Sequence, residues 1–165
     1  MTHNATDKKS NWVKVGNGFL KIGHKPFGKK ISAQSLLHDK TDTVLTILSE
    51  KEGAVFIGEK CRSLGIDWIW LSLPNADIPP SSIKNEIIAT YEKVKEKLSN
   101  GQKVYIHCSA GIHRTGMITH AFLQFLGYDS HASFKILSEL RPLTASEVGE
   151  HRLDWGKQFG IKEKD

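Results

Sequence analysis

One short segment of the chain carries residue types that can act together on a phosphate group. It reads VYIHCSAGIHRTG over residues 104–116. An apolar run typical of a strand ends at His107, and the pattern predicts a helix that begins near Arg114. The loop between them turns around a helix N-terminus, where backbone N–H groups lack intrahelical partners and the helix dipole adds positive charge. The segment therefore predicts an anion-binding loop.

Residues 108–114, called the phosphate loop below, offer both backbone and side-chain donors to an anion. Gly111 permits backbone angles that other residues resist. The planar guanidinium of Arg114 matches two phosphate oxygens at once. The residues expected to bind phosphate are Ser109, Ala110, Gly111, Ile112, His113 and Arg114.

Cys108 lies at the start of this loop, where the same positive field stabilises a thiolate. The loop is therefore expected both to bind a phosphate dianion and to make the sulfur beneath it nucleophilic. Thr115 adds a hydroxyl directly after Arg114, and it is placed to donate a hydrogen bond to the sulfur when the thiolate leaves.

Phosphoryl transfer to a thiolate also needs a proton donor for the leaving oxygen. Asp77 lies in a proline-rich stretch, Ser72–Pro80, which follows the preceding predicted strand and which we call the acid loop. Loops that follow parallel strands gather at the carboxyl edge of a sheet, so Asp77 and Cys108 are expected to meet across a cleft. Asp67 is the competitor, but it falls inside the strand IDWIWL.

The elements that position these residues alternate along the chain. Two short runs around Gly16-Asn17-Gly18 predict a β-hairpin, and residues 23–42 are expected to form an irregular connection. Further strands are predicted at 43–48, 66–71 and 103–107, and helices at 52–64, 83–98, 114–126 and 131–140. The stretch Thr144–Glu147 is expected to act as the capping box of a last helix. This order predicts an α/β fold with a central, mostly parallel sheet flanked by helices.

Length and composition favour a single globular domain. The chain has 165 residues, of which 39% are hydrophobic and 25% charged, with a formal net charge of +5. No apolar run is long enough to span a membrane, and the N-terminus lacks the apolar region of a signal peptide. Two distant cysteines favour a reducing compartment, so we expect a cytoplasmic protein, most simply a monomer.

The sequence HCSAGIHRTG resembles the H-C-x2-G-x2-R-[ST]-G signature of the cysteine-dependent protein phosphatases. The short length and the upstream aspartate resemble their compact dual-specificity branch, of a type similar to cyclin-dependent-kinase-associated phosphatase. The resemblance extends from about Phe19 to Phe159. It implies a dual-specificity-phosphatase-like catalytic domain over 12–160 and a tail over 161–165, and the polar residues 1–11 are expected to form a flexible segment.

The resemblance implies a role for each matching residue. Cys108 is the nucleophile that forms a phosphocysteine, and Arg114 holds the phosphate and the transition-state charge. Asp77 protonates the leaving alcohol and then activates water, Thr115 eases departure of the thiolate, and His107 orders the loop. The family needs no metal or other cofactor, because arginine and backbone amides neutralise the phosphate charge. The implied substrate is a phosphoprotein carrying phosphotyrosine, and possible further targets are phosphoserine and phosphothreonine.

Other functions of the same segment stay open at this stage. Some members of the superfamily remove phosphates from RNA 5′ ends. The sequence has no clear run of basic residues interleaved with aromatic ones, so we do not expect stable nucleic-acid binding. A non-catalytic phosphate-binding module is a further alternative, although such proteins usually lose the cysteine, arginine or aspartate. The phosphate loop has no lysine, which disfavours a phosphoinositide substrate. The basic stretch Lys25–Lys30 is either a solvated loop or a docking site for an acidic partner.

Overall fold

The computed structural model describes residues 9–160. The segment expected to be flexible, 1–11, lies mostly outside the described residues, and the expected tail, 161–165, lies outside them entirely. Asn11 is described and is already fixed to the body of the protein. Its backbone N–H donates to the Leu140 carbonyl over 2.9 Å, and its side-chain amide donates to the Glu139 carbonyl over 3.0 Å.

A five-stranded sheet forms the centre of the fold. Its strands are β1 (Val13–Val15), β2 (Gly18–Gly23), β3 (Thr43–Thr46), β4 (Asp67–Trp70) and β5 (Lys103–His107). They lie in the order β1-β2-β5-β3-β4, with β1 antiparallel to β2 and every other pairing parallel. The predicted hairpin and the predicted parallel sheet are both confirmed. The interior strands read as apolar runs because helices cover both faces of a parallel sheet.

Seven α-helices surround the sheet in the described part of the chain. They are α1 (Ala33–His38), α2 (Ala54–Ser63), α3 (Lys84–Ser99), α4 (His113–Phe125), α5 (Ser130–Leu140), α6 (Pro142–Glu147) and α7 (Glu150–Trp155). Short 3-10 turns occur at Glu50–Glu52, Ser81–Ile83 and Gly156–Phe159. The α/β class predicted from the sequence is confirmed, and none of these helices is long and apolar enough to cross a membrane.

Two local predictions were wrong. The connection 23–42 is not irregular throughout, because Ser32 caps a short helix by accepting a hydrogen bond from the Ser35 backbone N–H. Thr144 does not open a helix, because α6 begins two residues earlier at Pro142, whose missing N–H suits the first helical position. The Thr144 hydroxyl has a different partner, the Gly111 carbonyl of the phosphate loop.

Helix α4 is the central element that fixes the phosphate loop. Every side chain from Arg114 to Gln124 is buried, so the helix is surrounded by protein along most of its length. The Tyr91 hydroxyl of α3 donates to the Ile118 carbonyl over 2.8 Å, and the ring of Tyr91 packs against Phe122 with centroids 5.3 Å apart. Burying one such apolar side chain stabilises the fold by about 2 kcal/mol. The middle of α4 is therefore held firmly against α3.

Candidate active site

The phosphate loop leaves the carboxyl end of β5 and runs directly into α4. Strand β5 lies between β2 and β3 in the sheet. Its floor is Cys108, which is 4% exposed and lies immediately after the last strand residue. Ile112 is the N-cap residue of α4, and its side chain makes no capping hydrogen bond. The N-terminus of α4 therefore keeps its positive end open to an anion.

Four consecutive carbonyls of the loop are turned outward into the protein scaffold. The first two belong to Cys108 and Ser109. His107 Nδ1 lies 2.8 Å from the Cys108 carbonyl oxygen, and the backbone N–H of Lys25 donates to the Ser109 carbonyl oxygen over 3.0 Å. These two contacts tie the first half of the loop to β5 and to the segment that follows β2.

Arg141 and Thr144 hold the carbonyls of the second half. Arg141 Nη1 donates to the Ala110 oxygen over 2.7 Å and to the Gly111 oxygen over 3.1 Å. The Thr144 hydroxyl donates to the Gly111 oxygen over 2.6 Å. All described peptide bonds are trans, and in a trans peptide each carbonyl points away from the next N–H group. The N–H groups of residues 109–112 therefore point away from the scaffold groups that bind these carbonyls.

Gly111 occupies a position where both the backbone angles and the available space exclude a side chain. Its φ is +74°, in the left-handed region that favours glycine. A Cβ atom built there would lie 2.2 Å from the carbonyl oxygen of Gly23. The glycine thus lets the loop pass directly against the end of β2.

His107 is a buried, neutral hydrogen-bonding group. Burial lowers the pKa of His107 to about 4, against a smaller opposing effect of its bond to Cys108. The Cys108 carbonyl only accepts hydrogen bonds, so Nδ1 carries the proton and Nε2 accepts from the Thr46 hydroxyl, 2.7 Å away. The Trp68 indole N–H donates to that hydroxyl over 2.8 Å. This chain of bonds fixes the ring that orients Cys108.

The Arg114 side chain is 10% exposed and uses three of its five N–H groups within the protein. Nη1 donates to Glu52 Oε1 and to the Leu73 carbonyl, both over 2.8 Å, and Nη2 donates to Glu52 Oε2 over 2.9 Å. The donors that remain, Nε–H and the second Nη2–H, lie side by side on one edge of the guanidinium. That edge is the pair of parallel donors that a phosphate requires.

Glu52 is a site residue that the sequence analysis missed. Hydrogen bonds from Arg114 hold the pKa of Glu52 at about 2, and further bonds from the backbone and hydroxyl of Ser49 act in the same direction. The spacing Ser49-x-x-Glu52 is a capping-box pattern, which was the available signal. That pattern indicates where a helical turn begins but gives no information about a distant arginine partner.

The acid loop is fixed to the site at two of its carbonyls. The Leu73 carbonyl accepts from Arg114, as described above, and the Ala76 carbonyl accepts from Arg152 Nε of α7 over 2.8 Å. Directly after Ala76, the Asp77 backbone N–H donates to the Asn75 side-chain oxygen over 2.9 Å. Asp77 itself is exposed. Its competitor Asp67 begins β4 at the opposite edge of the sheet, where it pairs with Lys97 over 2.8 Å.

Two further residues were singled out from the sequence. Thr115 is fully buried, and its hydroxyl has no hydrogen-bond partner among residues 9–160, Cys108 included. His113 is exposed at the first position of α4, at the rim of the loop. Arg141 and Arg152, by contrast, were not anticipated, because nothing near them in the sequence indicates that they contact these loops.

Comparison with known proteins assigns the family. The model of the family described as dual specificity phosphatase, catalytic domain, matches residues 65–149, which include both the acid loop and the phosphate loop. The chain belongs to this family, which confirms the resemblance seen in the sequence. No curated protein matches the sequence significantly.

Solved structures of several phosphatases share the fold. Kinase associated phosphatase (KAP) superimposes with a TM-score of 0.75 at 14% identity, over 93% of this chain and 94% of that chain. PTPMT1 in complex with PI(5)P gives 0.68 at 18% identity, over 90% and 93%. The core catalytic domain of the PP-IP phosphatase SIW14 from S. cerevisiae gives 0.56 at 15% identity, over 90% and 84%. At these identities the likeness shows the fold.

Proposed function

We propose that this chain is a protein phosphatase that hydrolyses phosphotyrosine, and also phosphoserine and phosphothreonine, through a phosphocysteine formed on Cys108. Residues 12–160 are its catalytic domain. One observation carries the proposal. Four outward-turned carbonyls leave the N–H groups of a loop that begins with a cysteine pointing away from the scaffold, and Arg114 keeps two parallel donors free beside them.

In the first step the Cys108 thiolate attacks phosphorus, and the bond between phosphorus and the leaving oxygen breaks. Asp77 gives its proton to that oxygen, so that an alcohol or phenol leaves. Arg114 and the loop N–H groups bind the three equatorial oxygens, whose charge is spread in the transition state. The product of this step is a phosphocysteine with an ionised Asp77.

In the second step Asp77 takes a proton from a water molecule, whose oxygen attacks phosphorus. The bond between sulfur and phosphorus breaks, and inorganic phosphate and the Cys108 thiolate are released. The buried Thr115 hydroxyl, which has no hydrogen-bond partner among residues 9–160, is the group that would donate a hydrogen bond to the departing sulfur. His107 keeps the Cys108 backbone in place throughout, because its own hydrogen bonds are complete.

A hollow of about 240 Å³ beside the site supports a protein substrate. It lies between the segment after β2 and the start of α2, and its lining includes Phe27, Glu52 and Phe56. Phe56 is 55% exposed, so the hollow offers apolar surface to side chains that flank a phosphorylated residue. Ile78, 43% exposed in the acid loop, adds apolar surface next to Asp77.

The proposal is tested by measuring phosphate release from an aryl phosphate, from phosphopeptides and from 5′-triphosphorylated RNA. Wild type and Cys108→Ser are compared, with a chelator present and with vanadate as an inhibitor. We expect vanadate-sensitive release from the aryl phosphate and phosphopeptides, and none from Cys108→Ser. Release from RNA alone would assign the chain to the RNA phosphatases. Absence of release from folded, reduced wild type that still binds phosphopeptide would assign it to the phosphate-binding modules.

A further inference from the structure

The segment that follows β2, which we call the basic loop (24–31), is fixed beside the phosphate loop. The Tyr105 hydroxyl donates to the His24 carbonyl over 2.6 Å, and the Lys25 backbone N–H donates to the Ser109 carbonyl over 3.0 Å. The loop closes on itself where the Phe27 N–H donates to the Ile31 carbonyl over 2.7 Å. The position of its lysines relative to the phosphate loop is thus set by the backbone.

A pocket of about 400 Å³ lies between these two loops. The basic loop forms one wall of the pocket, and the phosphate loop residues Ser109 and Ala110 form the other. The basic loop contributes His24, Lys25, Lys29 and Lys30. The pocket therefore shares a backbone wall with the phosphate cradle itself.

This pocket has a strong excess of positive charge. None of its lining residues is acidic. Lys25, Lys29 and Lys30 are exposed, and none of them forms an ion pair within residues 9–160. The lysines of the described chain that do pair with a carboxylate lie elsewhere: Lys21, Lys97 and Lys157. Three unpaired ammonium groups beside one pocket form a site for an anion.

Two further groups add to the same field. Arg141 is buried directly behind the phosphate loop, and Nη2 of its guanidinium lies 3.4 Å from His24 Nε2. Burial lowers the pKa of His24, and the charges of Arg141 and Lys30 lower it further. The imidazole is therefore neutral at pH 7 and supplies a hydrogen bond, while the charge comes from the lysines and Arg141.

We propose that this pocket is a second phosphate subsite, which binds another phosphate group of the same substrate while the scissile phosphate occupies the loop above Cys108. The inference rests on the proposed function and narrows its substrate class to multiply phosphorylated molecules. An extended peptide spans about 3.5 Å per residue, so a phosphate a few residues from the scissile one reaches a pocket that shares a wall with the cradle. A small polyphosphate presents the same chemistry.

The sequence did not predict this arrangement. The phosphate loop contains no lysine, which disfavours a second phosphate when the loop is considered alone. The lysines lie in a segment more than 70 residues earlier, and only the pairing of β2 with β5 brings that segment to the same edge of the sheet. The subsite is therefore supplied by a neighbouring loop.

The test compares phosphotyrosyl heptapeptides that carry one added phosphoserine at each position in turn with the singly phosphorylated parent. An aryl phosphate reports on the chemistry alone, and inositol hexakisphosphate represents a small polyphosphate. The variant is Lys29→Gln/Lys30→Gln. The matched control, Lys93→Gln/Lys95→Gln, removes the same charge from exposed positions of α3. Lys93 and Lys95 lie near the C-terminal end of α3. That end packs, through Leu98, against Gly18 at the start of β2, the opposite end of the strand from the basic loop.

We expect wild type and the control to show a kcat/KM about tenfold higher on the best doubly phosphorylated peptide than on its parent. The variant should lose most of this preference through a higher KM. Its fold-loss of kcat/KM on the doubly phosphorylated peptide should be at least about five times its fold-loss on the aryl phosphate. Added salt should weaken the preference in wild type, because the lysines are exposed. A preference for inositol hexakisphosphate over every peptide, abolished by the same variant, supports the subsite with a small molecule as its source.

Two results would overturn the subsite. One is equal kcat/KM on all singly and doubly phosphorylated substrates by a wild type that turns over the aryl phosphate. The other is a preference that survives in Lys29→Gln/Lys30→Gln. Failure of the proposed function is distinguished by the aryl phosphate, which wild type would then leave intact. In that case calorimetric binding of the same peptides to Cys108→Ser still tests the subsite, which requires tighter binding of a doubly phosphorylated peptide.

Discussion

The phosphate loop and the acid loop lie at the same edge of the sheet, but the protein holds them in different ways. Four consecutive carbonyls of the phosphate loop are bonded to the scaffold, and the loop continues into a buried helix. The acid loop is held at two carbonyls, Leu73 and Ala76, and the side chain of the proposed acid, Asp77, is exposed. In the proposed mechanism the nucleophile therefore acts from a firmly held site, and the acid acts from a loop with fewer attachments.

Arg114 connects the two loops. Its guanidinium belongs to the phosphate loop, but two of its bonds reach Glu52 and a third reaches the start of the acid loop at Leu73. Phosphate bound on the free edge of Arg114 therefore contacts a group that also fixes the acid loop. Each of the following variants alters one side of this comparison.

The largest effect is expected from Arg141→Met, which removes the support of the rigid loop. The Ala110 carbonyl loses its donor, and Gly111 keeps only Thr144. Misdirecting several N–H groups should lower kcat by about 10³-fold, since one lost oxyanion donor costs about 10²-fold to 10³-fold. The free energy of unfolding should fall by about 2 kcal/mol. Aryl phosphate kinetics measure kcat, and urea unfolding measures the free energy of unfolding. Arg62→Met, at an exposed position, is the control. A kcat within about threefold of wild type would show that Arg141 does not support the loop.

The next effect concerns the acid itself. Asp77→Asn should lower kcat/KM on an alkyl phosphate by about 10²-fold, because the leaving alkoxide then departs without a proton. The loss should be much smaller on an aryl phosphate with an acidic phenol, whose leaving group needs little protonation in the first step. The slope of log kcat/KM against leaving-group pKa measures the difference. A parallel loss across the whole series would argue against Asp77 as the acid.

Glu52→Gln separates the two loops by weakening their common connection. We expect about a tenfold loss of kcat/KM, because Arg114 loses the carboxylate that fixes its plane. The pKa of Glu52 lies at about 2 in the folded protein, below its ordinary 4.5. The ionised carboxylate therefore stabilises the fold above about pH 4.5, and this contribution is lost as the pH falls toward 2.

The lowered pKa of Glu52 predicts a pH-dependent difference in stability between wild type and Glu52→Gln. After allowance for solvent screening, Glu52→Gln should lower the free energy of unfolding by about 1 kcal/mol at pH 7. The gap between wild type and variant should narrow as the pH falls below 4.5. Glu50→Gln, at an exposed position of the same turn, is the matched control. A gap that stays constant with pH would mean that the Glu52 charge does not contribute.

The smallest effect is expected from Arg152→Gln, which releases the second attachment of the acid loop together with the bond from Nη1 to the Val148 carbonyl. Without the bond from Nε to the Ala76 carbonyl, Asp77 should sample more positions, and kcat on an alkyl phosphate should fall about threefold. The rate of phosphocysteine formation from an activated aryl phosphate should stay close to that of wild type. A loss as large on the aryl phosphate as on the alkyl phosphate would show that Arg152 supports the fold in general.

The sequence predicted the elements that hold the site more reliably than their contacts. The hairpin, the strand that ends at His107 and the helix that follows Cys108 were all anticipated, because each depends on a local pattern of apolar and turn residues. Thr144 was misplaced because its spacing to Glu147 satisfies the capping-box pattern locally. Its real partner, Gly111, lies 33 residues away and is brought close only by the packing of α6 against α4.

The residues that hold the two loops in place were not predictable, because their partners are also distant in the sequence. Glu52 and Arg114 are separated by 62 residues, and Arg152 and Ala76 by 76. Their contacts follow from the order of strands in the sheet and from helix packing, which no single segment specifies. The placement of the phosphate loop between a strand and a helix N-terminus was predictable because both patterns are local.

The most direct test of the account is to detect phosphate on the sulfur. Asp77→Asn should form a phosphocysteine rapidly from an activated aryl phosphate and hydrolyse it slowly, since the base for water is missing. Acid quenching followed by peptide mass spectrometry should then show one added phosphoryl group on the peptide that contains Cys108, and none with Cys108→Ser/Asp77→Asn. Continued turnover with no phosphoryl group on Cys108, or with the group on another residue, would contradict the proposed mechanism.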